Sequence, residues 1–324
     1  MQMLKMARAL ALAAIMGPAC AGAAGFPERP IRIVVPFPPG GTADIVARVV
    51  SDKMAQELGT TLIVENKPGG AGGSVGTLEI VRARPDGYTL GIATVGTLGT
   101  APATAPRALY DPEKDFSYIS NIASMPMLLA AGPSMGQATL QEIIERARQR
   151  PGTVSFGSGG TGGVAHLMGA KFEVATGTRL MHVPYRGANP ALTDVAGGQV
   201  DLIFDALASS APFLQSQRIR PLAVSGQSRV GGLPQTPTFA EAGLPEVGTQ
   251  AWYGLVGPAG IDGKIVQRLY EAVQAAVSSA EVRERLEKLD TQAVGSDPQA
   301  YREQVVKELQ AWRQLAQSQN IVVD

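Results

Sequence analysis

The sequence predicts an α/β protein built as two lobes with a cleft between them, and three observations predict it. Short apolar runs of strand character alternate with stretches of helical spacing along the whole chain, the pattern of parallel sheets covered by helices on both faces. Two glycine-rich turns, one at Gly40-Gly41 and one across Gly157 to Gly163, each leave an apolar strand and enter a helix. Two extended segments, 119–131 and 249–257, stand where the chain would pass from one lobe to the other and back. Two crossing segments make a hinge, and ligands of such lobes sit outside the carboxyl ends of the strands.

Taken in order, residues 31–35 form the first strand. The turn Pro36-Phe37-Pro38-Pro39-Gly40-Gly41-Thr42-Ala43-Asp44 follows, with Thr42 as the expected N-cap. Val46, Ala47, Val50, Met54 and Leu58 then fall at helical spacing. A strand at 62–64 leads to a second glycine cluster, a helix over about 74–84, and a strand over 88–94. Residues 110–116 read as loop, and 119–131 as an apolar extended run interrupted by Pro126. Thr139 and Glu142 make a capping box that opens a helix ending before Pro151-Gly152.

The second lobe continues with a strand at 154–156, the glycine-rich turn, and a helix over 164–176 stopped by Gly177. Strands at 180–185, 200–204 and 221–225 follow, with Asn189-Pro190 expected as cap and first helical residue between the first two. A strand at 252–256 leads out of this unit. Two amphipathic helices, from Asp262 and from Asp297-Pro298 to about residue 318, have no strands of their own and are expected to cover the first lobe. The expected division is therefore 1–24 as a leader, 25–124 with 252–324 as the first lobe, and 125–251 as the second.

The leader is read from Lys5 and Arg8, a short apolar stretch, and small residues offering cleavage near Ala23 and Ala24. Its apolar run is too short for a stable membrane span. Removing Lys5 and Arg8 from the 28 basic residues leaves 26 against 28 acidic ones, a net charge of about −2. Nothing in that balance points to nucleic acid or an anionic membrane. Cys20 is the only cysteine. It lies in the leader behind Gly17-Pro18-Ala19, a poor lipid-attachment box, so soluble export is preferred over a lipid anchor. The exported chain then holds no thiol for disulfides, catalysis or metal binding. With 324 residues, 45% hydrophobic and 17% charged, the rest is ordinary globular composition, and 38 glycines with 23 prolines favour many tight turns.

Catalytic chemistry has few candidates. His166 and His182 are the only histidines and stand in no metal-ligand spacing. No serine occupies a Gly-x-Ser-x-Gly elbow. The competing reading is a dinucleotide fingerprint, Gly157-Ser158-Gly159-Gly160-Thr161-Gly162, with Arg186 beyond the next strand where an NADP phosphate would sit. The acidic ribose partner is missing, and an exported enzyme would meet little diffusible cofactor.

The chain also resembles the Bug-type extracytoplasmic receptors of tripartite tricarboxylate transporters. The resemblance rests on Pro30-Ile31-Arg32-Ile33-Val34-Val35-Pro36-Phe37 with the Pro-Gly-Gly-Thr-Ala-Asp turn, on Glu65-Asn66-Lys67-Pro68-Gly69-Gly70-Ala71-Gly72-Gly73, and on Pro85-Asp86-Gly87-Tyr88-Thr89-Leu90. Tyr110-Asp111-Pro112 with Asp115-Phe116, Val183-Pro184-Tyr185-Arg186-Gly187 and Gly197-Gly198-Gln199-Val200-Asp201 extend it over the exported chain. It implies a type II-like periplasmic-binding fold with a two-strand hinge. It also implies a periplasmic, non-enzymatic receptor, expected as a monomer without cofactor, that closes on a small carboxylate and hands it to a membrane permease. A receptor docking on a signalling protein would need the same cleft. Many relatives carry a polar histidine turn and Asn-Pro after the third strand. Here the run from Thr94 to Gly99 leads to Ala101-Pro102, a more apolar rim suited to an aliphatic or aromatic ligand body.

Gly40, Gly41 and Thr42 are the expected donors of the first lobe, with Phe37 as an apolar wall. A helix N-terminus carries free N–H groups and partial positive charge, which suits a carboxylate. Ser158, Gly159, Gly160 and Thr161 do the same from the second lobe. His166 is expected to line the pocket or cap the helix, and Thr97 to stand at the rim. Asp205 either faces the ligand or caps the segment after it, and Arg186 either pairs with a carboxylate or braces its own loop. Asp44 is expected to fix its loop instead of touching the anion.

Overall fold

The computed structural model describes residues 25–323; the leader, its cleavage site and Cys20 lie outside the described residues. The chain runs β1 (Ile31–Val35), α1 (Thr42–Leu58), β2 (Leu62–Asn66), α2 (Ser74–Val81), β3 (Thr89–Thr94), α3 (Ala101–Thr104) and β4 (Phe116–Met125). It continues with β5 (Met127–Ala131), α4 (Leu140–Gln149), β6 (Ser155–Ser158), α5 (Val164–Thr176), β7 (Met181–Pro184), α6 (Ala188–Ala196), β8 (Leu202–Ala206), α7 (Leu207–Gln215) and β9 (Arg220–Val224). It ends with β10 (Ala251–Pro258), α8 (Gly263–Ser278), α9 (Ala280–Glu287), β11 (Gln292–Ala293) and α10 (Pro298–Ser318).

Two sheets result, ordered β11-β4-β10-β3-β1-β2 and β7-β6-β8-β5-β9. They are mixed, which corrects the expectation of parallel sheets. β10 runs antiparallel to β3 and β4, and β5 runs antiparallel to β8 and β9. The physical reason is connectivity. β5 and β10 each enter their sheet from the other lobe, without the crossover helix that a parallel neighbour requires.

Alternation along the strands sends side chains into two layers per sheet. In β1, Ile31, Ile33 and Val35 pack against α1 and α8, while Val34 faces the layer of α2 and α10. In β5, Met127, Leu129 and Ala131 meet α4 and α5, while Leu128 and Ala130 meet α6. That is why its sequence is an unbroken apolar run. The last helices do cover the first sheet, and α10 lies so close to β10 that a Cβ on Gly254 would stand 2.2 Å from the Tyr301 ring. Glycine is required there by contact, not by backbone conformation.

β4 passes into β5 at Pro126, which lacks an N–H and so breaks the ladder between the sheets. Local differences from the sequence reading are small. Gly41, not Thr42, is the N-cap of α1, and Gly187, not Asn189, the N-cap of α6. α2 stops at Val81, and α9 and β11 were not foreseen.

Candidate functional site

Between the two lobes lies a cavity of about 460 Å³. Phe37, Gly72, Gly96, Thr100, Ala101, Thr104 and Ala105 line it from the first lobe, and Gly159 to Gly163 from the second, with Val323 at one side. Among the described residues no charged side chain takes part in that lining. Gly163 brings the start of α5 to the cavity wall, whereas the expected donors Gly40, Gly41 and Thr42 are not among its lining residues and the first loop reaches it through Phe37. Neither helix start has a side-chain cap on its first-turn amides. Such amides are donors for an anion.

Asp44 organises the first loop. Its buried carboxylate accepts from the Gly40 amide at 2.9 Å, from Asn66 Nδ2 at 2.9 Å and from Arg48 Nε at 3.0 Å. Burial raises its pKa, but the bonds from Arg48, Gly40 and Asn66 outweigh that and hold it below the usual carboxylate range. The Gly40 amide is therefore spent inside the loop, leaving Gly41 and the residues after it as donors. The Tyr253 hydroxyl is buried near Thr42, and burial pushes its pKa up to about 12.

The second loop is set by a hydroxyl. Ser158 is fully buried, meets His182 Nε2 at 2.7 Å and accepts from the Gly160 amide at 3.3 Å. Its role is thus to shape the turn, and the cleft itself is faced by Gly159, Gly160 and the exposed Thr161. His166 accepts the Gly162 amide on Nδ1 at 3.0 Å and stacks on His182 with ring centroids 3.9 Å apart. Burial lowers the pKa of both rings. His182, further depressed by its neighbour His166, is pushed down to about 4.

Three other expected residues differ from a simple lining role. The Thr97 hydroxyl is buried in a reciprocal cap with Thr94, so the rim there is made by Gly96 and Thr100. Arg186 is exposed beside the second loop, where the Gly187 amide donates to the Gly159 carbonyl at 3.1 Å. Asp205 is buried at the end of β8 and accepts from Ser209 at 2.5 Å and Ser210 at 3.1 Å. Burial raises its pKa to about 6 against these bonds. It is neither the N-cap of α7, which is Ala206, nor part of the cavity lining.

Sequence reasoning missed Gly72, Thr100, Thr104, Ala105 and Val323. Val323 closes a contact of long sequence separation: its amide donates to the Thr104 carbonyl at 3.0 Å. A Cβ on Gly162, whose φ is +75°, would stand 2.5 Å from its side chain. This cover, and the engagement of the Gly162 amide by His166, leave the turn unlike a dinucleotide site, where the glycines must admit a pyrophosphate.

The fold and the cleft define a two-lobed solute-binding protein, not an enzyme. Residues 46–321 match the family described as the tripartite tricarboxylate transporter family receptor, and the chain belongs to that family. It is 32% identical to the protein BugT of Bordetella pertussis over 94% of this chain and 92% of that one. Among solved structures it is similar to one described as a periplasmic transporter, with 41% identity, a TM-score of 0.79, and coverage of 92% and 100% of the two chains. It is also similar to an R. palustris protein with adipate, with 33% identity, a TM-score of 0.79, and coverage of 92% and 99%. Among the described residues no helix is long and apolar enough to cross a membrane.

Proposed function

We propose that this receptor captures a small carboxylate with an aliphatic or aromatic body and delivers it to the membrane permease of its transporter. One observation carries the reading: the uncapped start of α5 at Gly163 and the loop that leads into uncapped α1 border a cavity lined by glycine backbone, Phe37, Ala101, Ala105 and Val323, with no charged side chain among the described residues. Backbone amides of Gly41 and Thr42 and of Gly159 to Thr161 take the carboxylate. Phe37 and the alanines take the body, and Arg186 swings to the cleft mouth on closure. The adipate bound by the R. palustris relative, a chain with four methylenes between carboxylates, supports a ligand of this size and partial apolarity.

Sheet membership supports lobes of 25–124 with 252–324 and of 125–251, hinged at β4–β5 and β10. Ligand bridging the two favours the closed form. The leader composition supports cleavage near Ala23 and Ala24, and the protein acts as a monomer.

A thermal-shift screen of the exported chain against mono-, di- and tricarboxylates, acidic amino acids, aromatic acids and NADP tests this, since a ligand that binds only the folded state raises Tm. A carboxylate should raise Tm, and Gly41→Pro or Thr161→Pro should abolish the shift. A response to NADP with none to any carboxylate would overturn the reading.

A further inference from the structure

A second cavity, of about 530 Å³, lies away from the cleft at the hinge, between α5, α10, the crossing strands and the loops at 226–227 and 248–250. Its volume is in the ~300–1,000 Å³ range of small-molecule sites. It is walled by Trp252 and Trp312, the only two tryptophans of the chain. Its polar groups sort into two ends. Lys171 of α5 donates to Thr249 Oγ1 at 2.9 Å and lies 4.0 Å over the Trp312 ring, which leaves it a further N–H. Glu308 of α10 accepts from Trp252 Nε1 at 2.8 Å and Gln304 Nε2 at 3.0 Å, which leaves its carboxylate further lone pairs.

Lys171 and Glu308 feel each other's charge but are not in ion-pair contact. Burial lowers the Lys171 pKa and raises that of Glu308 despite their attraction. Beside Glu308, Asn121 is 3% exposed and gives its Nδ2 to Gln304 Oε1 at 3.0 Å. Its Oδ1 has no hydrogen-bond partner among the described residues. A buried acceptor without a partner is costly, so the surroundings of Glu308 lack a donor, while Lys171 holds an ammonium with a donor to spare.

We infer that this hinge cavity is a second binding site, for a small zwitterionic amino acid. Its ammonium lies on the Glu308 carboxylate, and its carboxylate lies on Lys171. Such a molecule completes both ends at once, with no net charge carried into the cavity. Either half alone would leave one buried charge without its partner. Because Lys171 and Glu308 belong to helices of different lobes, the occupant is a cross-lobe bridge. Lys171 is about two turns along the helix that starts at the cleft loop. The inference does not depend on the carboxylate reading of the cleft.

The test uses the two tryptophans as the reporter. The exported chain is titrated with glycine, L-alanine and L-serine, and in parallel with propionate and ethylammonium as single-charge analogues. The amino acids should change tryptophan emission saturably, while the analogues leave it unchanged at about ten times the concentration. Lys171→Met and Glu308→Gln should each weaken the response at least about tenfold, and Thr161→Pro in the cleft should retain it. If Lys171→Met does not fold, Thr249→Val removes only the hydroxyl that orients the ammonium and should weaken the response severalfold. No saturable change with any amino acid, an equal response to propionate, or loss in Thr161→Pro would each overturn the site.

Discussion

The Ser158 hydroxyl and the His182 ring meet at 2.7 Å because β6 and β7 pair in parallel, with Phe156 opposite His182. Ser158 stands two residues beyond Phe156 on the same strand, so both point to the side where His182 lies. The contact fixes the loop that enters the cleft, while burial, with Phe156 stacked at 4.8 Å and His166 at 3.9 Å, keeps His182 neutral.

Acid should therefore weaken the fold through His182. Its folded pKa is about 4 against an ordinary 6.5. Between those values the unfolded chain binds the extra proton, so stability is full above pH 6.5 and declines as pH falls toward 4. The ring is partly reached by water, so the discounted effect is on the order of 1–2 kcal/mol. Asp205 acts in the opposite direction, because a carboxyl raised to about 6 is eased by protonation. The readout is accordingly a difference: Tm against pH for His182→Gln should fall less steeply from pH 6.5 to 4 than for the parent. Parallel curves would refute the assignment.

Asp44 should matter for both stability and affinity. Its charge is buried under the Gly40 amide, Asn66 and Arg48. Asp44→Asn keeps the shape but loses charge-assisted bonds, a cost of about 1–3 kcal/mol. Its pKa is held below the ordinary 3.8, so its stabilisation is present above that value and fades as pH falls through the folded pKa. Denaturant melts should show the loss at pH 7, and titration of the cleft ligand should show weaker binding, because the Gly40 turn loosens. Unchanged affinity would mean that the loop keeps its form without Asp44.

The order of elements was legible in the sequence because it depends on local signals. The Thr139–Glu142 box, Gly177 after α5 and Asp262 before α8 act within a few residues of where they stand. Strand direction in β5 and β10 was not legible, since it is decided by which sheet a crossing segment joins. The glycine turns announced a cleft, but the roles of hydroxyls within it were hidden. Thr97 and Ser158 have the same chemistry whether they face a ligand or satisfy their own loop, and only packing turned them inward. Val323 could not be read at all, because nothing local ties it to Thr104 or Gly162.

Tyr301 and Gly254 make a testable pair. The Tyr301 hydroxyl is fully buried without a hydrogen-bond partner among the described residues, and burial drives its pKa well above the ordinary value. Tyr301→Phe should thus be neutral or stabilising, by up to about 1 kcal/mol. Gly254→Ala places a methyl against the same ring and hydroxyl, and should cost about 1–3 kcal/mol. In the double variant the loss of the hydroxyl should recover part of that cost, so a double-mutant cycle measured by urea melts should give a favourable coupling. Strict additivity would show that the methyl is accommodated elsewhere.

The C-terminal segment should set what the cleft admits. Val323 holds the Thr104 carbonyl through its amide and covers the Gly162 backbone with its side chain, so one residue touches both walls of the 460 Å³ cavity. Val323→Ala removes two methyl groups, an apolar contact worth roughly 1 kcal/mol, while keeping the backbone bond. Ending the chain at Asn320 removes both. Affinity for a carboxylate with an apolar body should fall several-fold in Val323→Ala and about tenfold or more in the truncation. Affinity for acetate, which fills only the amide end, should change little. The melting temperature of the unliganded protein should shift less than the ligand affinity, since Val323 closes no core. Equal losses for acetate and the larger acid would show that the segment supports the anion loop instead of the ligand body.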